Sequence, residues 1–119
     1  MGRRYAEHRG IMKKRGEIWW INFDPSVGQE IKKKRPAVIV SNDLSNKYLK
    51  RYQVLPLSSQ IDKLYPSEVL IKFEGKRSKV MADQLTTVSI LRFLTKAGEV
   101  SAEKMKDIEQ IIKLQVDLK

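Results

Sequence analysis

The chain has no cysteine and a single histidine among its 119 residues. Without thiols there are no disulfides and no thiolate metal ligands, and nothing in this usage argues for export. The lone histidine, His8, cannot build a zinc site. It also lies in a stretch without apolar periodicity, so a Ser-His-Asp arrangement has no usable base. Glycine-rich phosphate loops are absent. No apolar run approaches the roughly 20 residues of a membrane-spanning helix, and no signal-peptide pattern opens the chain. The expected location is therefore the cytoplasm, away from membranes. Asp24, Asp43 and Asp83 would have to be gathered to hold magnesium, and no spacing gathers them. Neither a metal nor a cofactor is expected.

What the chain has in excess is positive charge. Lysine and arginine number 24 against 14 acids, a net charge of +10. Residues 1–16 carry six basic groups and one acid, and residues 30–51 carry seven and two. A localised excess of this kind suits a polyanionic partner, with nucleic acid favoured over an anionic membrane or an acidic protein.

The length fits one domain. Residues 1–12 read as a flexible basic arm. Met12 offers an alternative start, with residues 1–11 then an extension ahead of the domain at 13–119. Strands are expected over 17–23, 36–41, 52–57, 68–73 and 79 to about 85, where β-forming residues alternate with turn signals. Ser41-Asn42-Asp43 can cap a short helical turn over 44–49. Pro56 has no N–H to give a ladder, so the third strand should be an edge or carry a bulge there, re-aiming Ser58. The one long helix follows Ser101, its N-cap, with Val100 and Met105 at staple positions. Met105, Ile108, Ile111, Ile112 and Val116 mark its buried stripe. Leu114 and Leu118 flank the stripe, where they can extend it toward a second subunit. The expected fold class is mainly β with a C-terminal helix, in a small, strongly curved sheet.

The run Lys32-Lys33-Lys34-Arg35-Pro36 enters the apolar segment Ala37-Val38-Ile39-Val40. Pro36 is expected to keep the four cations out of the strand, on a loop, with Arg35 held where the loop meets the sheet. A fixed guanidinium can pair with a phosphate through two parallel bonds. The bland alternative for Lys32, Lys33 and Lys34 is a solvated turn. With metal and histidine chemistry excluded, cleavage of RNA by its own 2′-OH remains compatible with the residues present. It requires alignment of the hydroxyl with phosphorus and stabilisation of charge on the phosphoryl oxygens. Arg35 and Ser58 suit the second task, and Glu30 or Asp83 can accept the 2′-OH proton. Trp19 and Trp20 should face opposite sides of their strand. One is then core, and base stacking by the other is the lesser reading.

The ordered set Arg15-Gly16-Glu17-Ile18-Trp19-Trp20, Phe23-Asp24-Pro25, Gly28-Gln29-Glu30 and Arg35-Pro36 through Asp43 resembles the MazF/PemK (Kid) toxins of bacterial toxin–antitoxin systems. The likeness continues through Val54 to Gln60, Tyr65 to Val69 and Asp83 to Val88, and spans about residues 13–118. The resemblance implies a compact SH3-like barrel of MazF/CcdB type and a homodimer. It further implies sequence-specific, metal-independent cleavage of single-stranded RNA, leaving a 2′,3′-cyclic phosphate and a 5′-hydroxyl. It puts the family's catalytic arginine on Arg35, its catalytic hydroxyl on Ser58 and its loop glutamate on Glu30. Lys34, Asn42, Ser59, Asp83 and Gln84 are further substrate-binding candidates. An acidic antitoxin covering the groove would match the basic excess at 30–51. The chain departs from the pattern at Thr86, where many relatives carry a cation, and at Met81, where some carry an arginine. Kid-like acid–base roles therefore do not transfer wholesale. Two alternatives share the fold: a non-enzymatic gyrase inhibitor of CcdB type, and a homologue that binds RNA or antitoxin without cutting.

Overall fold

The computed structural model describes residues 13–24 and 33–119. The arm at 1–12 and the candidates Glu30 and Lys32 lie outside the described residues. Alternation in the first strand sets the architecture. In β1 (Glu17–Asn22), Ile18 faces one apolar cluster while Trp19 and Ile21 face another. β2 (Lys34–Ile39) repeats this with Val38 against Ala37 and Ile39, and β3 (Arg51–Ser58) with Leu55 and Leu57 against Tyr52 and Val54. Strands buried on both faces must be central, and the sheet curls to cover both of theirs.

The remaining strands are β4 (Glu68–Phe73), β5 (Lys76–Met81), β6 (Thr86–Ser89) and β7 (Phe93–Glu99). The order is β4-β5-β3-β2-β1-β7, antiparallel throughout, with β6 also pairing β3. The result is a curled half-barrel with one long C-terminal helix, as expected.

The short helix α1 (Asp43–Leu49) forms where expected, and Asn42 Oδ1 accepts the Ser45 N–H at 2.8 Å. The long helix α2 (Ala102–Gln115) is capped by Ser101, whose Oγ accepts the Lys104 N–H at 3.1 Å. Met105, Ile108 and Ile111 close the first cluster beneath Ile18, Leu55 and Val80. Val116 is not part of that stripe. The helix ends at Gln115, and Val116, as C-cap, is 45% exposed. Arg15 clasps both helices to the sheet. Its amide donates to Asp43 at 2.7 Å, its Nε to the Val40 carbonyl at 3.0 Å, and its Nη2 pairs with Glu109 at 3.0 Å.

Both prolines behave differently from expectation, for one reason. Lys34 and Arg35 are part of β2, paired with Asn22 and Ile21. In antiparallel pairs, hydrogen-bonded and non-bonded positions alternate. The Phe23 N–H donates to the Lys33 carbonyl at 2.9 Å, which puts the pair Trp20–Pro36 at a non-bonded position, so Pro36 costs β1 nothing. Its missing N–H faces β3 instead, and pairing with β3 begins one residue later, at Ala37 opposite Pro56. Pro56 in turn faces the other way, into the gap where the neighbour of β3 changes from β6 (ending at Val54) to β5 (starting at Leu57). β3 is therefore an interior strand, neither an edge nor bulged at Pro56.

The expected strand from 79 to about 85 begins earlier and stops at Met81, followed by a 3-10 turn at Ala82–Gln84. It begins at Lys76 because Glu74 (φ 52°) and Gly75 (φ 78°) make a two-residue, left-handed hairpin turn that pairs Phe73 with Lys76. β6 and β7 are additions to the expected set of strands.

At the β1–β7 seam three ionisable groups are displaced from their ordinary range. Burial pushes the Glu17 carboxyl up, but hydrogen bonds from the Trp19 indole, the Lys14 amide and Lys96 outweigh it, and the net shift is downward. Lys96 is shifted upward by its contacts with Glu99 and Glu17. Burial lowers Lys13, partly opposed by Glu17, and its ammonium lies 4.7 Å from the centre of the Trp19 ring.

Candidate nucleic-acid groove

Three strand ends converge on one side of the half-barrel. The start of β2 supplies Lys33, Lys34 and Arg35, the end of β3 supplies Ser58 and Ser59, and the β4–β5 hairpin supplies Phe73, Glu74, Lys76 and Ser78. Together with Trp20, Pro36 and Leu57 they line an open groove of about 560 Å³. The entrance is braced from below. Asp24 Oδ1 accepts the Lys33 N–H at 2.8 Å, and Arg92 Nη1 donates to the carbonyls of Asn22 (3.1 Å) and Asp24. Lys33 itself takes a left-handed conformation (φ 63°), turning the chain into β2.

Register then joins the two principal candidates. β2 and β3 pair from Ala37 opposite Pro56 onward, so Arg35, two residues before Ala37, and Ser58, two residues after Pro56, lie just past the same end of that pairing. Trp20, Pro36 and Leu57 give the groove its apolar lining beside Arg35 and Ser58. Arg35 and Ser58 are both half-buried. Among the described residues the Arg35 guanidinium has no carboxylate partner. Ser58 Oγ accepts the Gln60 N–H at 3.2 Å, leaving its own proton to donate. On its other side Ser58 pairs in register with Lys79. Arg35 and Ser58 together present donors to the oxygens of a phosphodiester.

Lys79 is held rather than free. It is 8% exposed, its Nζ lies 3.2 Å from Glu68 Oε1, and it donates to the Lys63 carbonyl at 3.2 Å. Glu68 also accepts the Tyr65 N–H at 2.9 Å, so this pair ties the 59–67 connection, which leaves directly from Ser58, onto the hairpin.

The other candidates separate. Lys34 and Ser59 line the groove, but Asn42 caps α1 beyond the opposite end of β2 from Arg35. Asp83 and Gln84 sit on the 3-10 turn and do not line the groove. The basic excess at 30–51 also divides. Lys33 to Arg35 reach the groove, whereas Lys47, Lys50 and Arg51 lie around α1 and the far end of β3 from Ser58. Sequence reasoning missed Phe73 and Lys76 in the groove and Lys79 beside Ser58. The signal available for them was the Glu74-Gly75 turn, which doubles the chain back beside Ser58. Trp19 is core at 4% exposed and Trp20 lines the groove, the alternation expected of neighbours on a strand.

A small antiparallel half-barrel with an arginine and a hydroxyl in one cationic groove has the form of a polyanion-binding domain. Residues 14–116 match the family described as PemK-like, MazF-like toxin of type II toxin-antitoxin system. The chain is 36% identical to endoribonuclease MazF9 of Mycobacterium tuberculosis, covering 90% of this chain and 98% of the relative. It is 31% identical to the endoribonuclease toxin MazF of Escherichia coli K12, covering 87% and 89%. Its fold matches the crystal structure of MazF from Deinococcus radiodurans with a TM-score of 0.79 at 24% identity, over 91% of this chain and 99% of that one. It also matches a mycobacterial endoribonuclease in complex with its cognate antitoxin, with a TM-score of 0.76 at 19% identity over 90% and 97%. The chain belongs to the PemK/MazF toxin family. That membership favours the ribonuclease reading over a gyrase inhibitor of CcdB type.

Proposed function

We propose that this toxin is a sequence-specific, metal-independent endoribonuclease that cleaves single-stranded RNA by attack of the 2′-OH, with Arg35 and Ser58 at the reacting phosphate. The observation that carries the reading is that Arg35, at the start of β2, and Ser58, at the end of β3, line one cationic groove. The 2′-OH is a built-in nucleophile, so the protein needs to align it and to stabilise the charge that develops on phosphorus. A guanidinium without a carboxylate partner has its donors available for two phosphoryl oxygens, and the Ser58 hydroxyl adds a third. A guanidinium is not deprotonated in proteins, so Arg35 is no base. The base is therefore a separate group, with Glu30 the candidate from the sequence and Asp83, which does not line the groove, the weaker one. An acidic antitoxin fits the same groove by charge, and a homodimer agrees with Leu114 and Leu118 at 57% and 63% exposed.

Purified protein should cut a long, weakly structured RNA in EDTA at a recurrent short motif, leaving cyclic phosphate and 5′-hydroxyl ends. Arg35→Ala should lose at least about 10²-fold in rate, the usual effect of deleting one transition-state donor. A folded Arg35→Ala protein that cuts at the wild-type rate would overturn the assignment of Arg35.

A further inference from the structure

The fold treats the two consecutive tryptophans of β1 differently. Trp19 is core, 4% exposed, with an edge-on contact to Phe93 and its indole N–H donated to Glu17. Trp20 is half-buried and belongs to neither apolar cluster. Among the described residues its ring has no aromatic or cationic neighbour, and its N–H has no hydrogen-bond partner yet is not buried. A well-packed aromatic side chain buries about 150–250 Å². Trp20, on a central strand, forgoes part of that burial and keeps a bare ring.

Register shows where the ring stands. Trp20 pairs with Pro36, the residue after Arg35, so the Cα atoms of Trp20 and Arg35 lie about 6 Å apart by strand spacing and rise. Alternation puts Trp20 and Pro36 on the face that continues through Leu57 and Ser78 to Phe73. Further along, the same face carries Ile18, Val38, Leu55 and Val80, which α2 covers with Met105, Ile108 and Ile111. Beyond the helix the face opens into the groove, and Trp20, Pro36, Leu57, Ser78 and Phe73 all line it. Arg35 and Ser58 line the same groove, with Lys33, Lys34 and Lys76 around it against one acid, Glu74.

We propose that Trp20 is the stacking platform for a nucleobase immediately beside the phosphate held by Arg35 and Ser58, with Pro36 and Phe73 completing its apolar seat. This rests on the ribonuclease reading above. An unpaired base of single-stranded RNA offers a π-face to an aromatic ring, while cations beside the ring track the backbone. A nucleotide joins a flat apolar base to an anionic phosphate, and the groove sets a bare ring next to a guanidinium. A carboxylate-bearing protein segment would satisfy the cations but calls for no bare ring among them. Stacking accepts any base, so Trp20 contributes affinity and holds the chain at the cut rather than choosing the sequence.

The test is equilibrium binding of an RNA that carries the mapped motif and a single 2′-deoxy nucleotide immediately 5′ of the cut, so that it is not cleaved. It is compared with copies lacking the base at one or the other nucleotide flanking the cut. The proteins are wild type, Trp20→Leu and Trp20→Phe, each checked by Tm. For wild type, removing the seated base should weaken binding about 5- to 150-fold, the usual range for one base on an aromatic ring. Trp20→Leu should weaken the intact strand by the same factor and then be indifferent to the missing base, since both changes remove one contact. Trp20→Phe keeps a ring face and should recover most of the loss, and the cut motif should not change. In wild type the intact strand should quench Trp20 fluorescence and the strand without the seated base should not, a reading that needs no variant. Equal sensitivity to the missing base in wild type and Trp20→Leu, or Trp20 fluorescence unmoved by a bound intact strand, would overturn the proposal and leave the ribonuclease reading standing. Loss of antitoxin binding in Trp20→Leu with RNA binding intact would overturn it equally, assigning the ring to the protein partner. A wild type that neither binds nor cuts RNA refutes the ribonuclease reading, and the proposal with it.

Discussion

Replacing Lys79 by methionine probes the link between the fold and the groove. The methionine keeps most of the aliphatic stem but removes the ammonium, which lies 5.8 Å from the centre of the Tyr65 ring. Glu68, with its side chain 5% exposed, then keeps a buried charge whose remaining donor is the Tyr65 N–H at 2.9 Å. Breaking a buried pair from one side costs about 3–5 kcal/mol. The surviving hydrogen bond places the expected loss at the low end, about 3 kcal/mol. For a chain of 119 residues that corresponds to a fall in Tm of about 10 °C. Adding Glu68→Gln removes the orphaned charge yet preserves an acceptor for Tyr65, so the double variant should recover to within about 1 kcal/mol of wild type. Urea unfolding followed by fluorescence of Trp19 and Trp20 measures all four proteins of the cycle. A Lys79→Met protein within about 1 kcal/mol of wild type, or a double variant no more stable than the single one, would refute the clamp.

Other expectations follow from single contacts. Asn42→Ala should cost about 1 kcal/mol by removing the cap of α1, with RNA cleavage unaffected; a large loss of activity in a folded protein would return Asn42 to the site. Glu17 has a folded pKa below its ordinary 4.5, so its stabilisation is complete above that value and is lost as pH falls through the folded one. Glu17→Gln should therefore lower stability at neutral pH and flatten the acid limb of a stability–pH profile; an unchanged limb would refute this. Lys13 has the opposite sign. Its folded pKa lies below 10.5, so stability should rise as pH climbs from that folded value toward 10.5.

Local chemistry made part of this molecule readable in advance. Ser101 and the spacing of Met105, Ile108 and Ile111 determined α2 because capping and helical periodicity are properties of neighbours in sequence. The Ser41-Asn42-Asp43 cap and β4 were readable for similar reasons. The prolines misled because their effect depends on which side of a strand the missing N–H faces, and that is decided by register with β1, β3, β5 and β6. The turn before β5 was visible, but a glutamate in left-handed conformation beside Gly75 gave little sign that the strand resumes at once, at Lys76. In the groove, Arg35, Ser58, Lys34 and Ser59 were found from sequence. Phe73 and Lys76 were not, since only the pairing of β5 with β3 brings their hairpin beside Ser58. The charge excess at 30–51 overstated its own unity, because a strand with a helix after it carries its two ends to opposite sides of the fold.

The central claim is that RNA supplies the nucleophile and the protein stabilises the charge, and one substitution in the substrate tests it most directly. An oligonucleotide containing the mapped motif should be compared with a copy that has a single 2′-deoxy nucleotide immediately 5′ of the cut, both in EDTA. The account predicts that the all-RNA strand is cleaved to a cyclic phosphate while the substituted strand binds with similar affinity and stays intact. Cleavage of the substituted strand at the same bond would contradict it, because the attacking group would then have to come from water or the protein.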